Sequence, residues 1–245
     1  MNPNVEVLAD PLALANRAAQ VISAHAISAK SPFTIALSGG STPKRLYELL
    51  SDPDAEYSKH LRWDRIHFFW SDERTVGPDH PESNYRMARD AMLSRVGVPE
   101  GNVHRISGEM AIAADSAVAY ESDLRRFFRS ENDEIPRLDL VLLGMGADGH
   151  TASIFPGSEV LHENRKLVAA PWVEKLHTYR ITMTLPLLNN AAAVLFLVSG
   201  EDKASILSEV LAGEPGRFPA QFICPTNGSL TWLLDETAAR QLKTR

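Results

Sequence analysis

Residues 33–50 read FTIALSGGSTPKRLYELL, and this stretch decides the fold class. Phe33 to Leu37 is a short apolar run without regular polar alternation, as expected of a strand covered on both faces. It runs straight into Ser38-Gly39-Gly40-Ser41-Thr42-Pro43, where two glycines end the strand and Pro43 suits a first helical turn. Leu46, Leu49 and Leu50 then begin a helix.

The alternation extends in both directions. Upstream, Asp10-Pro11 is a helix start, with Leu14, Ala18, Val21 and Ile22 at helical spacing and a stop near Ser31-Pro32. Downstream, Arg65 to Ser71 (RIHFFWS) is a second strand, ending in Asp72-Glu73-Arg74. Helices are expected over Tyr85–Leu93 and Ala111–Ser130, the latter with Ala117, Tyr120, Leu124, Phe127 and Phe128 on one face. Leu138 to Leu143 is a third central strand, opening into Gly144-Met145-Gly146-Ala147-Asp148-Gly149-His150. Further strands are expected at Leu167–Ala170, Ile181–Leu185, Ala193–Val198 and Gln221–Ile223, with a helix over Asp202–Leu211 between the last two. The expected fold is therefore α/β: one domain over residues 1–245, a three-layer αβα arrangement of a mostly parallel, Rossmann-like sheet with helices on both faces. In such sheets the ligand crevice lies beyond the carboxyl ends of the strands, and every polar cluster of interest follows a strand.

Bulk properties exclude several classes. The net charge of −6 and the lack of a basic run argue against a nucleic-acid partner. The longest apolar run, Ala191 to Val198, is too short to cross a membrane. The opening MNPNVEVLADPLALANR carries early acids and not the basic-then-apolar order of a signal peptide, so a cytoplasmic protein is expected. A single cysteine, Cys224, rules out an internal disulfide; it sits beside an expected strand and reads as core. The histidines include no H-x-x-x-H pair, and no G-x-S-x-G elbow is present. No metal or cofactor is expected.

Four features carry chemistry. Ser38, Gly39, Gly40, Ser41 and Thr42 read either as a capped turn or as an anion site, in which backbone amides at a helix N-terminus face a phosphate. Asp72-Glu73-Arg74 reads as a solvated loop or as a carboxylate beside a guanidinium, suited to proton transfer and anion binding. Gly144 to Pro156 (GMGADGHTASIFP) contains the spacing G-x-G-x-x-G, but Pro156-Gly157 leaves no room for the long helix of a dinucleotide site. The glycines instead place Asp148 and His150 at the sheet edge, where a histidine serves as general base. Arg180 and Lys203 are surface charges taken alone, and phosphate partners if the anion loop is real.

SGGSTPKRLYELL, FFWSDERTVGPDHPESNYRMA, LDLVLLGMGADGHTASIFPGS, RITMTLPLLNNA and LVSGEDKASIL, in that order over roughly residues 30 to 235, resemble the 6-phosphogluconolactonases. That family is in turn similar to the glucosamine-6-phosphate deaminases, which carry a D-E-Y sequence where this chain has Asp72-Glu73-Arg74. They also place a glutamate where this chain has Phe155. Ring opening and proton shuttling need such an extra acid–base group and lactone hydrolysis does not, so Arg74 and Phe155 favour the lactonase. The resemblance implies hydrolysis of a small sugar-phosphate lactone, 6-phospho-D-glucono-1,5-lactone, to 6-phospho-D-gluconate in the pentose phosphate pathway. His150 would activate water, backbone amides or Arg74 would hold the oxyanion, and Asp148 and Asp72 would orient or polarise the site. The phosphate would lie on Ser38–Thr42 with Arg180 and Lys203, Arg74 being a further partner for it. A catalytically dead sugar-phosphate sensor is the reading from another class. The segment Gly77–Asn84 is expected to order on substrate, and no oligomeric partner is legible.

Overall fold

Buried strands separated by amphipathic helices close a core by laying the helices on both faces of a shared sheet. The computed structural model describes residues 3–29, 32–131 and 134–242. In chain order its elements are β1 (Asn4–Leu8), α1 (Pro11–Ser28), β2 (Phe33–Leu37), α2 (Ser41–Leu50), β3 (Ile66–Trp70), β4 (Asp72–Arg74), α3 (Asn84–Ala88), α4 (Ala113–Phe128) and β5 (Leu140–Leu143). They continue with β6 (Val168–Ala169), β7 (Trp172–Val173), β8 (Thr178–Met183), α5 (Leu185–Asn189), β9 (Ala193–Val198), α6 (Ala204–Ala212), β10 (Ser229–Asp235) and α7 (Glu236–Ala239).

The central sheet has six strands in the order β1-β10-β9-β5-β2-β3, every pair parallel. β2, β5 and β9 are buried along their whole length, which is why they read as continuous apolar runs. Trp232 of β10 stacks on its registered neighbour Phe196 of β9, with ring centroids 3.8 Å apart. Helices cover both faces. α1, α2 and α3 contact one another in turn and form one layer, with α1 on β10 and α2 on β9. On β3, Trp70 meets Tyr85 of α3, whereas the adjacent Phe69 meets Phe127 and Phe128 of α4. Successive strand residues face opposite sides, so α4 covers the other face.

From β2 the chain moves outward to β3, then returns to place β5 on the opposite side of β2. The loops after β2 and β5 therefore part company at the sheet's switch point and leave a crevice there. Two buried tyrosines fix its rims. Tyr47 of α2 accepts from the Ser38 N–H at 3.0 Å and donates to the Ser38 carbonyl at 2.9 Å. Tyr120 of α4 does the same at Trp70, at 2.8 and 3.2 Å. Burial pushes both phenols well above their ordinary range, so they stay neutral donors.

Several expectations need correction. Gln221–Ile223 is not a strand: Pro219–Phe222 is a 3₁₀ turn. The Gln221 side chain closes it by accepting from the N–H groups of Arg217 and Phe218 at 2.8 and 3.0 Å. Cys224 is exposed and not core, because the chain leaves that turn with its N–H on Asn189 Oδ1, 2.7 Å away. The strand in this region is β10, and β1 pairs with it at the sheet edge; neither was expected. The strand expected over Ile181–Leu185 runs over Thr178–Met183, and Leu185 opens α5. It belongs to a second, antiparallel sheet in the order β4-β8-β6, with β7 also on β8. Asp10 caps α1 as expected, accepting from Leu12 and Ala13 at 2.8 Å. The helix ends at Ser28, and Ser31 of the expected stop lies outside the described residues. Among the described residues no helix is long and apolar enough to cross a membrane.

Candidate active site

A pocket of about 370 Å³ opens at the carboxyl ends of β2, β3 and β5, a size within the usual range for small-molecule sites. Its first wall is Ser38, Gly39 and Gly40. Gly39 must be glycine because a Cβ there would stand 1.9 Å from Asn84 Oδ1. Ser38 is 4% exposed, and its Oγ has no hydrogen-bond partner among the described residues although the residue borders the pocket. The free amides of α2 begin directly after this loop.

The second wall is β4 and its partner. Arg74 and Arg180 face each other in register across the antiparallel β4–β8 pair, two guanidiniums with no carboxylate between them in the ladder. Burial, and then the Arg74 charge, push the Arg180 pKa down. Such a like-charge cross-strand pair is destabilising unless an anion neutralises it. Arg74 donates to the Glu82 carbonyl. Glu73, 2% exposed, accepts from the N–H groups of Arg74, Asn84 and Tyr85 at 2.8 Å each and from Ser83 Oγ at 3.0 Å. Burial nonetheless pushes its pKa up, against those bonds. This carboxylate pins the start of α3 and so aims Asn84 at the pocket. Asn84 Nδ2 donates to the Asp72 carbonyl at 2.9 Å and to its Oδ1 at 3.3 Å, and Ser153 Oγ donates to Asp72 Oδ2 at 2.6 Å. Asp72 is thus a buried, doubly held carboxylate on the pocket wall.

The third wall follows β5. His150 Nδ1 lies 2.5 Å from Asp148 Oδ1, which also accepts from the His150 N–H at 3.2 Å. Since an ionised carboxylate only accepts, Nδ1 carries the proton and Nε2 presents the lone pair. Gly146 leaves room for the imidazole, since a Cβ there would come within 2.1 Å of the ring. Burial alone would raise the Asp148 pKa, but hydrogen bonds from Lys175 and His150 outweigh it and hold the carboxyl at about 2. No helix follows this glycine loop. The chain instead makes a Thr151–Ile154 bridge, which removes the helix a dinucleotide site requires. Phe155 stacks on His150, with centroids 4.2 Å apart.

Of the residues picked from sequence, Ser38, Gly39, Gly40, Asp72, Arg74, His150 and Arg180 border this pocket. Asp148 backs His150 and borders the adjoining cleft. Ser41 and Thr42 form the first turn of α2, outside the lining. Lys203 sits in the turn before α6, paired with Asp202 at 2.7 Å, and does not border the pocket. The segment Gly77–Asn84 is tied by the Arg74–Glu82 bond and by Arg89 on Asp79 at 2.7 Å. Sequence reasoning missed Asn84, Ser153, Lys175 and Leu176, which also line the pocket. Ser153 lies within Gly144–Pro156 and Asn84 at the end of the Gly77–Asn84 segment, whereas Lys175 and Leu176 sit in a hairpin turn with no sequence pattern. Among the described residues no three His, Cys, Asp or Glu side chains gather closely enough to hold a metal ion.

The family described as glucosamine-6-phosphate isomerases/6-phosphogluconolactonase matches residues 9–232. A 6-phosphogluconolactonase of Nostoc sp. is 45% identical over 99% of this chain and 99% of its own. One of Synechocystis sp. is 43% identical over 99% and 100%. The solved 6-phosphogluconolactonase from Trypanosoma cruzi is 33% identical, with a TM-score of 0.85 over 99% of this chain and 97% of its own.

Proposed function

The chain belongs to the glucosamine-6-phosphate isomerase/6-phosphogluconolactonase family, and we propose that it hydrolyses 6-phospho-D-glucono-1,5-lactone with His150 as general base. The reaction yields 6-phospho-D-gluconate, a step of the pentose phosphate pathway. One observation carries the residue roles: a histidine backed by a carboxylate, and two facing guanidiniums that make no ion pair among the described residues, meet at the same small pocket. The first suits water activation and the second suits a phosphate dianion.

The phosphate lies on Ser38 Oγ, the Gly39-Gly40 amides and the paired Arg74 and Arg180, so that substrate completes an electrostatically unfinished site. Its binding energy holds C1 of the lactone near His150. Nε2 removes a proton from water as the water oxygen attacks C1, and a backbone amide of Gly144 or Met145 or the Arg74 guanidinium receives the oxyanion, the Gly146 N–H being held by the His150 carbonyl at 2.9 Å. Collapse breaks the bond from C1 to the ring oxygen, which takes the proton back from Nε2; the new carboxylic acid then ionises to solvent. Asp148 holds the imidazole in the required tautomer and stabilises the imidazolium between the two transfers. Asp72 orders the wall opposite through Ser153 and Asn84. Lys203 has no role in this scheme.

Phe155 stacks on the imidazole, where a deaminase needs a further carboxylate. The test is turnover of two substrates by the wild-type protein. Phosphogluconate formation from fresh lactone above the spontaneous rate, without ammonia release from glucosamine 6-phosphate, is expected. Ammonia release with no lactone turnover would overturn the assignment.

A further inference from the structure

The turn between β7 and β8 approaches the histidine–carboxylate pair from outside the central sheet. It is a braced turn: Trp172 and Tyr179 pair across the two strands with rings 5.0 Å apart. Trp172 Nε1 donates to Glu174 at 2.7 Å, and His177 closes the turn with a φ of 47°. At its tip the Lys175 ammonium contacts Asp148 Oδ2, the oxygen His150 does not use. The same ammonium lies 4.5 Å from the centroid of Phe155, the ring that stacks on His150. Lys175, Asp148, His150 and Phe155 therefore form a closed circuit, with the imidazole gripped at its edge by a carboxylate and on its face by a phenyl ring. Lys175 touches both of those grips.

We propose that Lys175 is a positioning residue of the lactonase reaction, fixing Asp148 and Phe155 against His150 and tempering the negative charge that Asp148 presents to the imidazole. The role rests on the lactonase reading given above. The other charges facing this site are Glu174 in the same turn, its carboxylate held by Trp172 Nε1, Asp72 and Arg74 on β4 and Arg180 on β8, and none pairs with Asp148. With Lys175 removed, the Asp148 charge acts on the imidazole undiluted and favours its protonated form. The free base then appears only at higher pH.

The test uses Lys175→Met and Lys175→Arg in the full chain; the side chain is half exposed, so neither change opens the core. In the methionine variant the acid limb of the kcat/KM profile is expected to move up by about half a pH unit to one unit, the scale of one partly screened charge nearby. kcat is expected to fall about tenfold with KM changed less than threefold, and arginine to restore the profile. A KM rise with an unmoved profile would make Lys175 a substrate ligand and overturn the proposal. The second readout needs no substrate: an NMR titration of the His150 imidazole in wild type and Lys175→Met, expected to shift upward by the same amount. An unmoved titration overturns the role of Lys175 whatever the activity. Absent wild-type turnover, by contrast, overturns the lactonase reading itself.

Discussion

Replacing Arg180 by glutamine separates the two things a paired guanidinium does: strain the free protein and hold an anion. Arg180 stands opposite Arg74 across the β4–β8 ladder. Cross-strand partners of this kind have Cβ atoms roughly 5 Å apart. Two unit charges roughly 6 Å apart at an effective dielectric of about 20–40 repel by roughly 1.5–3 kcal/mol before salt screening. Against this, the Arg180 guanidinium makes one long hydrogen bond within the protein, 3.3 Å to the Tyr179 carbonyl, and feels the attraction of Asp72, Glu82 and Glu73, each weaker than the Arg74 repulsion. The variant without ligand should therefore be as stable as wild type or about 1 kcal/mol more so, a Tm gain of roughly 2–4 °C for a chain of this size. Turnover should move the other way. A hydrogen bond to a charged group is worth about 1.5–3 kcal/mol, so kcat/KM should fall by roughly 10- to 150-fold. Inorganic phosphate should raise the wild-type Tm and raise that of the variant less. Calorimetry with and without phosphate, beside the coupled lactone assay, reads all three quantities. A Tm drop of several degrees with kcat/KM nearly unchanged would make Arg180 a structural residue and refute the reasoning.

Two further outcomes follow from the geometry. Gly39→Ala drives a methyl group into Asn84 Oδ1, 1.9 Å from the Cβ position, in a buried setting that also holds Asp72. Overpacking of this kind costs about 1–3 kcal/mol, and kcat/KM should drop more than tenfold; unaltered kinetics would show that the loop does not seat the substrate. Away from the pocket, His104 and His67 share a hydrogen bond of 3.0 Å beneath α4. Burial, then the His67 charge, push the His104 pKa down to about 4. The unfolded chain takes up this proton as pH falls below about 6.5 and the folded chain resists until about 4, so stability is complete above that window and is lost on acidification through it. Allowing for solvent screening at a half-buried site, the loss is about 1–2 kcal/mol. Tm measured from pH 7.5 to 4.5 should fall less steeply in His104→Phe, and an equal slope would place the acid sensitivity elsewhere.

What the sequence reveals of this fold follows how each strand is buried. β2, β3, β5 and β9 are enclosed and announce themselves as apolar runs. β1 lies at the sheet edge with Val5 and Val7 exposed, and so lacks that signature. β10 begins with the exposed Ser229 and half-buried Leu230 and Thr231, so only Trp232–Leu234 reads as an apolar run, too short to stand out as a strand. Strands as short as β4, β6 and β7 are too brief for any period to show. The site divides in the same way. Ser38, Arg74 and His150 follow strands that meet at the switch point, and their motifs are contiguous. Lys203 shares with them only that it is a polar residue after a strand, and that strand is β9, which lies on the far side of β5 from β2. Lys175 had no local signal because its partners Asp148 and Phe155 lie on another loop, joined to it only by the packing of the hairpin.

The most direct measurement is phosphogluconate formation from freshly generated lactone by wild type and His150→Gln, each above the spontaneous rate. Glutamine keeps a polar side chain at the pocket but supplies no base. The account predicts a kcat lower by on the order of 10²–10⁴, the usual worth of a general base, with binding of 6-phosphogluconate changed only a few-fold because the phosphate contacts remain. Near-normal turnover by His150→Gln would contradict it.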